Sequence, residues 1–147
     1  MSFRENFGRC LLVVICVLSG IGKFSDPKPH QKSLSESYSK TFAKAKEYGV
    51  TLPLAPQVLT GYTLEIIYLT GALLLLGSLL VIFRVKYGSC LLSSLLVSFC
   101  VVIHNPYLYT KDKEFYMHAY MLVLNLGLVA GLSLACPAKA QDKEKTD

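Results

Sequence analysis

VLTGYTLEIIYLTGALLLLGSLLVIF, residues 58–83, is the stretch that decides the fold of this chain. A helix needs roughly 20 predominantly apolar residues to cross a bilayer, and this stretch is longer than that. It carries one acidic residue, Glu65, about two turns from its start. Ionisable side chains inside a membrane are costly, and they usually face the interior of a bundle or a wet cavity. The stretch therefore predicts a transmembrane helix with a polar contact on its inner side.

The composition of the whole chain is typical of a membrane protein. Of its 147 residues, 52% are hydrophobic and 17% are charged, whereas soluble domains carry about 25% charged residues. The net charge is +5, and the lysines lie in the connections and in the tail, residues 138–147. This distribution predicts contact with anionic lipid headgroups. It does not predict nucleic-acid binding, because no basic stripe is interleaved with stacking aromatic residues.

Three further apolar segments complete a predicted all-α, four-helix membrane bundle that occupies residues 1–147 as a single domain. The predicted spans are residues 7–24, 58–83, 87–105 and 115–136. For the first span, two interpretations stay open: a retained helix, which we favour, and a cleaved signal peptide. Lys and Arg number seven on the side of the termini and eight on the other side. The positive-inside rule therefore does not set the orientation.

Residues 33–48 are predicted to form an amphipathic helix between the first and second spans. Leu34, Tyr38 and Phe42 share one face at helical spacing, and the proline-containing segment 25–30 is expected to interrupt the chain before it. Two compatible roles stay open for this helix. It can lie in the membrane interface, or it can pack on the end of the bundle. The residues expected to contact lipid headgroups are Lys40, Lys44, Lys46, Arg84 and Lys86.

Polar side chains at membrane depth are few, and they define a candidate cluster of Lys23, Glu65, His104, Asn105 and Asn125. Lys23 ends the first span, and Glu65 lies near the start of an antiparallel second span, so we expect both at similar depth. His104 and Asn105 end the third span on that same side. Two interpretations stay open: a structural clamp that fixes how the spans dock, which we favour, and a site that moves a proton or a substrate.

The fourth span contains Gly127-x-x-x-Gly131, a small-residue pattern that favours close helix packing. Buried, inert thiols are predicted for the cysteines, because no two of them form a C-x-x-C pair. The five cysteines are Cys10, Cys16, Cys90, Cys100 and Cys136. The sequence has none of the known hydrolase, zinc-protease, nucleotide or dinucleotide motifs. No catalytic residue, metal site or cofactor is therefore predicted.

Four short motifs resemble those of known membrane protein families. LSGIGKFSDP (residues 18–27) resembles the sG-x-x-K signature of the DoxX-like membrane proteins, and LEIIYLTGALLLLG (residues 64–77) resembles their second span. HNPYLYTKDKEF (residues 104–115) and LNLGLVAGL (residues 124–132) resemble the last turn and span of the HR-like lesion-inducing family. The resemblance covers nearly the whole chain, and it implies a DoxX-like bundle of four membrane-spanning helices.

The resemblance assigns family motifs to few residues of this chain and implies little about a reaction. Lys23 and Glu65 match the DoxX-like pattern, and Asn105 and Asn125 match the lesion-inducing pattern. Pro106 stands where an aromatic residue is common in that family, which is a departure from its turn.

The function that we predict is a non-catalytic accessory subunit or assembly factor of a larger membrane complex. Its partners would be lipids and other membrane subunits, without a cofactor. Two alternatives stay open: a redox protein that handles a quinone or thiol, as the DoxX-like resemblance implies, and a small oligomeric transporter. A complex subunit favours the mitochondrial inner membrane over the endoplasmic reticulum.

Overall fold

In the computed structural model, residues 3–135 form six α-helices and one 3₁₀ turn. The helices are α1 (Phe3–Ser25), α2 (Pro27–Glu47), α3 (Pro56–Gly61), α4 (Thr63–Ile82), α5 (Lys86–Val102) and α6 (Asp112–Ala135), and the 3₁₀ turn is Pro106–Leu108. The structure describes the backbone of residues 3–135 and the side chains of residues 7–134 except Lys86. Four segments are long and apolar enough to cross a membrane, namely Phe7–Ser25, Thr63–Ile82, Tyr87–Leu108 and Asp112–Leu134. The prediction of an all-α protein with four such helices is confirmed.

The second span begins at Thr63, five residues later than the hydropathy of the stretch suggests. The chain leaves helical geometry at Tyr62, where φ is −115° and ψ is 14°, so that α3 and α4 are separate helices. Glu65 therefore lies in the first turn of α4, where the helix dipole favours an acidic side chain. It does not lie two turns inside the span.

The helix after the first span is longer than predicted, because the prolines begin it instead of interrupting the chain. Only Asp26 separates α1 from α2, and Pro27 occupies the first position of α2. The N–H groups of a first helical turn have no partner in the helix, so proline loses no hydrogen bond there. The helix ends before Gly49, which adopts the left-handed conformation with φ 73°. The expected interruption at residues 25–30 is therefore confined to Asp26, and the rest of that segment belongs to the two helices.

The four spans follow one another around the bundle. α1 packs against α4 and α6, α4 packs against α5, and α5 packs against α6. Cys16, Leu74, Leu92 and Leu132 are among the residues of the core between them. α2 lies on one end of this bundle, where Leu34 joins a second cluster with residues of α3 and α4. These contacts match the end-packing role considered for the amphipathic helix.

A tight turn joins α4 to α5 at the other end of the bundle. Arg84 adopts the left-handed conformation with φ 59°. The N–H of Val85 donates to the Leu80 carbonyl (2.8 Å), and the N–H of Arg84 donates to the Val81 carbonyl (3.1 Å). This pair of bonds is a Schellman motif, in which glycine usually takes the left-handed position. The turn brings Gly88 of α5 against the backbone of α4.

Candidate binding cavity

A cavity of about 510 Å³ lies between the four spans, and α2 contributes to its lining. Small-molecule sites typically measure about 300–1,000 Å³. Lys23, His30 and His104 line the end near α2, whereas the buried Leu96 and Ile15, which is 41% exposed, line the part farther from α2. Ile15 and Lys23 are separated on α1 by about 12 Å, given a rise of 1.5 Å per residue. The cavity is thus charged and polar at the end near α2 and largely apolar farther from α2.

Close packing of α1 on α4 places Lys23 at this cavity. A Cβ atom built on Gly20 would lie 3.2 Å from the Gly71 carbonyl oxygen, and one built on Gly71 would lie 3.3 Å from Lys23 Cβ. Small residues allow two helices to approach in this way. The rings of Phe24 and Tyr68 stack with centroids 5.5 Å apart beside the same crossing. The stem of Lys23 therefore has a fixed position against α4.

The Lys23 side chain is buried with few partners. It is 7% exposed, its Nζ donates to Ser19 Oγ at 3.3 Å, and the same atom lies 5.1 Å from the centroid of the Phe99 ring. An ammonium group has three N–H donors. No carboxylate among the described side chains lies within 4.0 Å of Nζ. Lys23 thus presents a cation to the cavity with donors to spare.

The structure brings three members of the predicted polar cluster to the cavity and leaves Glu65 outside it. Lys23, His104 and Asn125 all line the cavity, and Asn125 lies beside the Cys100 thiol. Glu65 is exposed on α4 and does not line it. The pairing of Glu65 with Lys23 that the sequence suggested is absent from the ion pairs of residues 7–134. The physical reason is that Gly71 of α4 lies against the Lys23 stem, whereas Glu65 is six residues away on an exposed face of that helix.

Asn105, the fifth member of the predicted cluster, caps the 3₁₀ turn. Its side-chain Oδ1 accepts a hydrogen bond from the Tyr107 N–H at 3.1 Å. Pro106 occupies the first position of that turn, where proline fits. Pro106 thus starts the turn, and the Asn105 side chain caps its N-terminal end.

A second polar cluster, which we call the α2 clamp, joins α2 to the connection between α5 and α6. The Tyr109 and His118 rings stack with centroids 3.8 Å apart, and Lys40 Nζ lies 3.8 Å from the Tyr109 centroid. Ser37 Oγ hydrogen-bonds the Tyr109 hydroxyl at 2.9 Å, and Lys40 lies 4.0 Å from Glu114. Sequence analysis missed this cluster, because Ser37 and Tyr109 lie far apart in the chain and form no motif.

The lysines of α2 that were expected to contact headgroups differ in their surroundings. Lys40 belongs to the α2 clamp. Lys44 Nζ donates to Glu47 Oε2 at 2.7 Å, and this hydrogen bond and the carboxylate charge raise the pKa of Lys44. The other two expected contacts whose side chains are described, Lys46 and Arg84, are exposed. The Lys86 side chain lies outside the described residues.

The two glycines of the small-residue pattern have different surroundings. A Cβ on Gly131 would lie 3.0 Å from Leu12 of α1, so this glycine packs inside the bundle. A Cβ on Gly127 would meet nothing within 4 Å. Gly127 therefore faces the outside of the bundle.

The cysteines also divide into two kinds. Cys16 and Cys100 are buried free thiols, as predicted, whereas Cys10 and Cys90 are exposed on the outer surface of α1 and α5. The expectation of burial was wrong for these two, because apolar runs in a membrane span face lipid as well as core. Cys136 and the tail, residues 138–147, lie outside the described residues. Among residues 7–134, no group of three or more His, Cys, Asp or Glu side chains is placed to hold a metal ion.

Comparison with known proteins assigns the chain to a protein family. A family model described as HR-like lesion-inducing matches residues 1–134, a range that includes every residue of the cavity and of the α2 clamp. No curated protein and no solved structure matches the chain.

Proposed function

The chain belongs to the HR-like lesion-inducing family, and we propose that it is a non-catalytic integral membrane protein that binds a small amphipathic molecule between its helices. The observation that carries this proposal is the cavity of about 510 Å³ with Lys23 in its wall. Protein interiors contain few voids larger than a water molecule, whereas ligand sites are mostly apolar cavities with a few placed polar groups. This cavity has that composition.

The apolar part of the lining would supply most of the affinity for such a ligand. Leu74, Leu96 and Leu128 from three different spans surround the part farther from α2. Contact with these side chains favours an apolar body, and the polar end near α2 orients the molecule. All four spans contribute lining residues, so a bound ligand would also tie the spans together.

The proposal is tested by filling the cavity. The protein would be reconstituted in nanodiscs, and binding of a neutral, environment-sensitive naphthalene dye would be measured by fluorescence. Leu128→Trp places a large side chain into the lining. Leu126→Trp, two residues away on the same helix and 50% exposed, is the matched control. We expect the first variant to lose dye binding and the second to retain it. Equal binding by both folded variants would refute the proposal.

A second candidate function is that of an accessory subunit or assembly factor in a larger membrane complex, and the exposure of α6 favours it. Only 11% of the most apolar 18-residue stretch of this span is buried, compared with 28–33% for the other three spans. Gly127 lies on its outer side, where a helix of another subunit would be able to approach closely.

The test of this second candidate is the native mass of the protein in mild detergent. Gly127→Leu should lower the mass of the assembly that contains the protein. Ala72→Leu, a similar enlargement at an exposed position of α4, should not. Migration of the wild-type protein at the mass of one chain would rule out this candidate.

Three finer assignments belong to the same proposal. We place the protein in the mitochondrial inner membrane in preference to the endoplasmic reticulum, on the strength of the complex-subunit candidate, and imaging of a tagged protein tests this. We place α2 at the membrane interface, which the exposed Lys46 supports. The DoxX-like relationship draws support from Gly20 and Lys23, since both residues of that signature contribute to the helix crossing at the cavity.

A further inference from the structure

We propose that the cavity binds a single-chain amphiphile with one negatively charged head, of the fatty-acid class, and that its carboxylate pairs with Lys23. This inference rests on the proposed function, because it names the ligand class of the same cavity. It goes further by assigning the charge, the number of polar ends and the residue that recognises the head.

The charge of the head follows from the surroundings of Lys23. Burying an ion away from water is expensive unless an opposite charge and hydrogen bonds compensate for it. Ser19 supplies one acceptor at 3.3 Å, and Phe99 supplies a ring face at 5.1 Å. A carboxylate would accept the remaining N–H donors in charge-assisted bonds, which are stronger than bonds between neutral groups.

The other groups at this end of the cavity are compatible with an anion. None of the lining residues is Asp or Glu. His30 and His104 also line this end, and His104 Nδ1 is buried without a hydrogen-bond partner among the described residues. Asp26 is the acid whose charge acts on His30, but it does not line the cavity. A carboxylate here would meet one cation and two imidazoles, without a lining acid to repel it.

The number of polar ends follows from the remaining polar residues of the lining. Thr70 and Ser98 line the cavity, but each hydroxyl already donates to a carbonyl of its own helix, Thr70 to Ile67 at 2.9 Å and Ser98 to Ser94 at 2.9 Å. The hydrogen atoms of these hydroxyls are therefore not available to a ligand. Asn125 is the one amide in the lining, and it lies beside Cys100. A ligand with one charged end and an apolar chain matches this distribution.

The size of the cavity selects a single chain. Its volume of about 510 Å³ lies within the range for small-molecule sites. A phospholipid with two acyl chains is larger than such a ligand. One cation in the wall is matched by one negative charge, so a monoanionic head leaves no buried charge unbalanced.

The experiment compares two probes that differ only in the head. Dodecanoate and 1-dodecanol would each compete with the naphthalene dye for the cavity at pH 8, with the full chain in nanodiscs of zwitterionic phosphatidylcholine. We expect dodecanoate to bind about tenfold or more tightly than the alcohol, because a hydrogen bond to a charged group is stronger than one between neutral groups. Lys23→Met should remove this preference, and Lys23→Arg should retain a preference for the anion. Lys28→Met, at an exposed position on α2, is the control and should behave as the wild type.

The outcomes separate this inference from the proposed function. If dodecanoate and dodecanol bind the wild type equally, the anionic head is refuted and the proposed function stands. The same conclusion follows if a neutral quinone such as decylubiquinone displaces both of these probes from the cavity. Failure of every probe to bind would overturn the proposed function as well. Retention of the preference in Lys23→Met would overturn the role of Lys23. If that variant does not fold, the preferences of the wild type and Lys23→Arg still decide, because an unselective wild type refutes the inference.

Discussion

Replacing Gly88 with alanine should destabilise the bundle, because α5 begins in direct contact with the backbone of α4. A Cβ atom at this position would lie 2.7 Å from Leu80 Cβ and 2.7 Å from the Val81 nitrogen. Carbon atoms in favourable contact are about 3.5–4.0 Å apart. The obstructing atoms belong to a helix backbone and a Cβ, which have no rotamer to change. The start of α5 would therefore have to move away from α4 by about 1 Å.

The magnitude follows from two opposing effects. Alanine is favoured over glycine in a helix by about 0.5–1 kcal/mol, and enlarging a side chain in a tightly packed site costs about 1–3 kcal/mol. Gly127→Ala makes the same chemical change in α6, where the new Cβ would meet nothing within 4 Å. The helix preference cancels between the two variants. Their difference in unfolding free energy should be about 1–3 kcal/mol, or roughly 5- to 150-fold in the unfolding equilibrium.

The assay is reversible unfolding of the two variants and the wild type in mixed micelles of a mild detergent and dodecyl sulfate, followed by circular dichroism. We expect Gly127→Ala to be at least as stable as the wild type and Gly88→Ala to be less stable. Equal stability of the two alanine variants would refute the close contact between α4 and α5 described above.

Three further results are expected. Leu92→Ala, at a core position that is 0% exposed, should lower the unfolding free energy by about 2 kcal/mol, at the lower end for buried leucines because lipid is as apolar as the core. The control, Leu134→Ala at a position that is 89% exposed, should change the unfolding free energy by less than about 0.5 kcal/mol. Equal losses for the two variants in the same assay would contradict the core assignment. Tyr109→Phe should lower the unfolding free energy by about 1 kcal/mol, because it removes the 2.9 Å hydrogen bond to Ser37. A double-mutant cycle with Ser37→Ala should show coupling between the two residues, and strictly additive effects would argue against that bond. Burial and, second, the Lys23 charge lower the pKa of His30 from its ordinary value of 6.5, while the Asp26 charge opposes them, so the imidazole resonances of His30 should titrate below 6.5. Because the unfolded chain then binds more protons than the folded chain, His30 should reduce stability as the pH falls through about 6.5. A titration midpoint at or above 6.5 would be inconsistent with the burial of His30.

The spans were predictable from the sequence because the length of an apolar run is a property of the chain alone. The starts of α2 and α4 were less predictable, since they depend on backbone dihedrals at single residues. Pro27 can end a helix or begin one, and the Gly61 that precedes Tyr62 does not by itself mark a break, since Gly71 and Gly77 lie inside α4. The misplaced start of α4 also misplaced Glu65, whose depth had been counted from residue 58.

The candidate site was predictable in part. Lys23 and His104 were expected on the same side of an antiparallel bundle, and the structure places both at one end of the cavity. The depth and volume of the cavity depend on how the four helices pack, and the hydropathy of the sequence does not predict that packing. The α2 clamp depends on a contact between Ser37 and Tyr109, and no local pattern indicates such a distant pairing.

The order of the helices around the bundle has a consequence for biogenesis. A chain that enters the membrane during synthesis inserts α1 first, when the Ser19 hydroxyl of the same helix is already beside Lys23. Phe99 and Asn125 arrive with the last two spans, and α6 then closes the ring against α1 through Gly131. Until α5 is in place, the Lys23 ammonium group lacks its contact with the Phe99 ring. An unfinished or wrongly inserted chain therefore displays a charge within the bilayer that the completed bundle hides, a mark by which membrane quality control would distinguish the two.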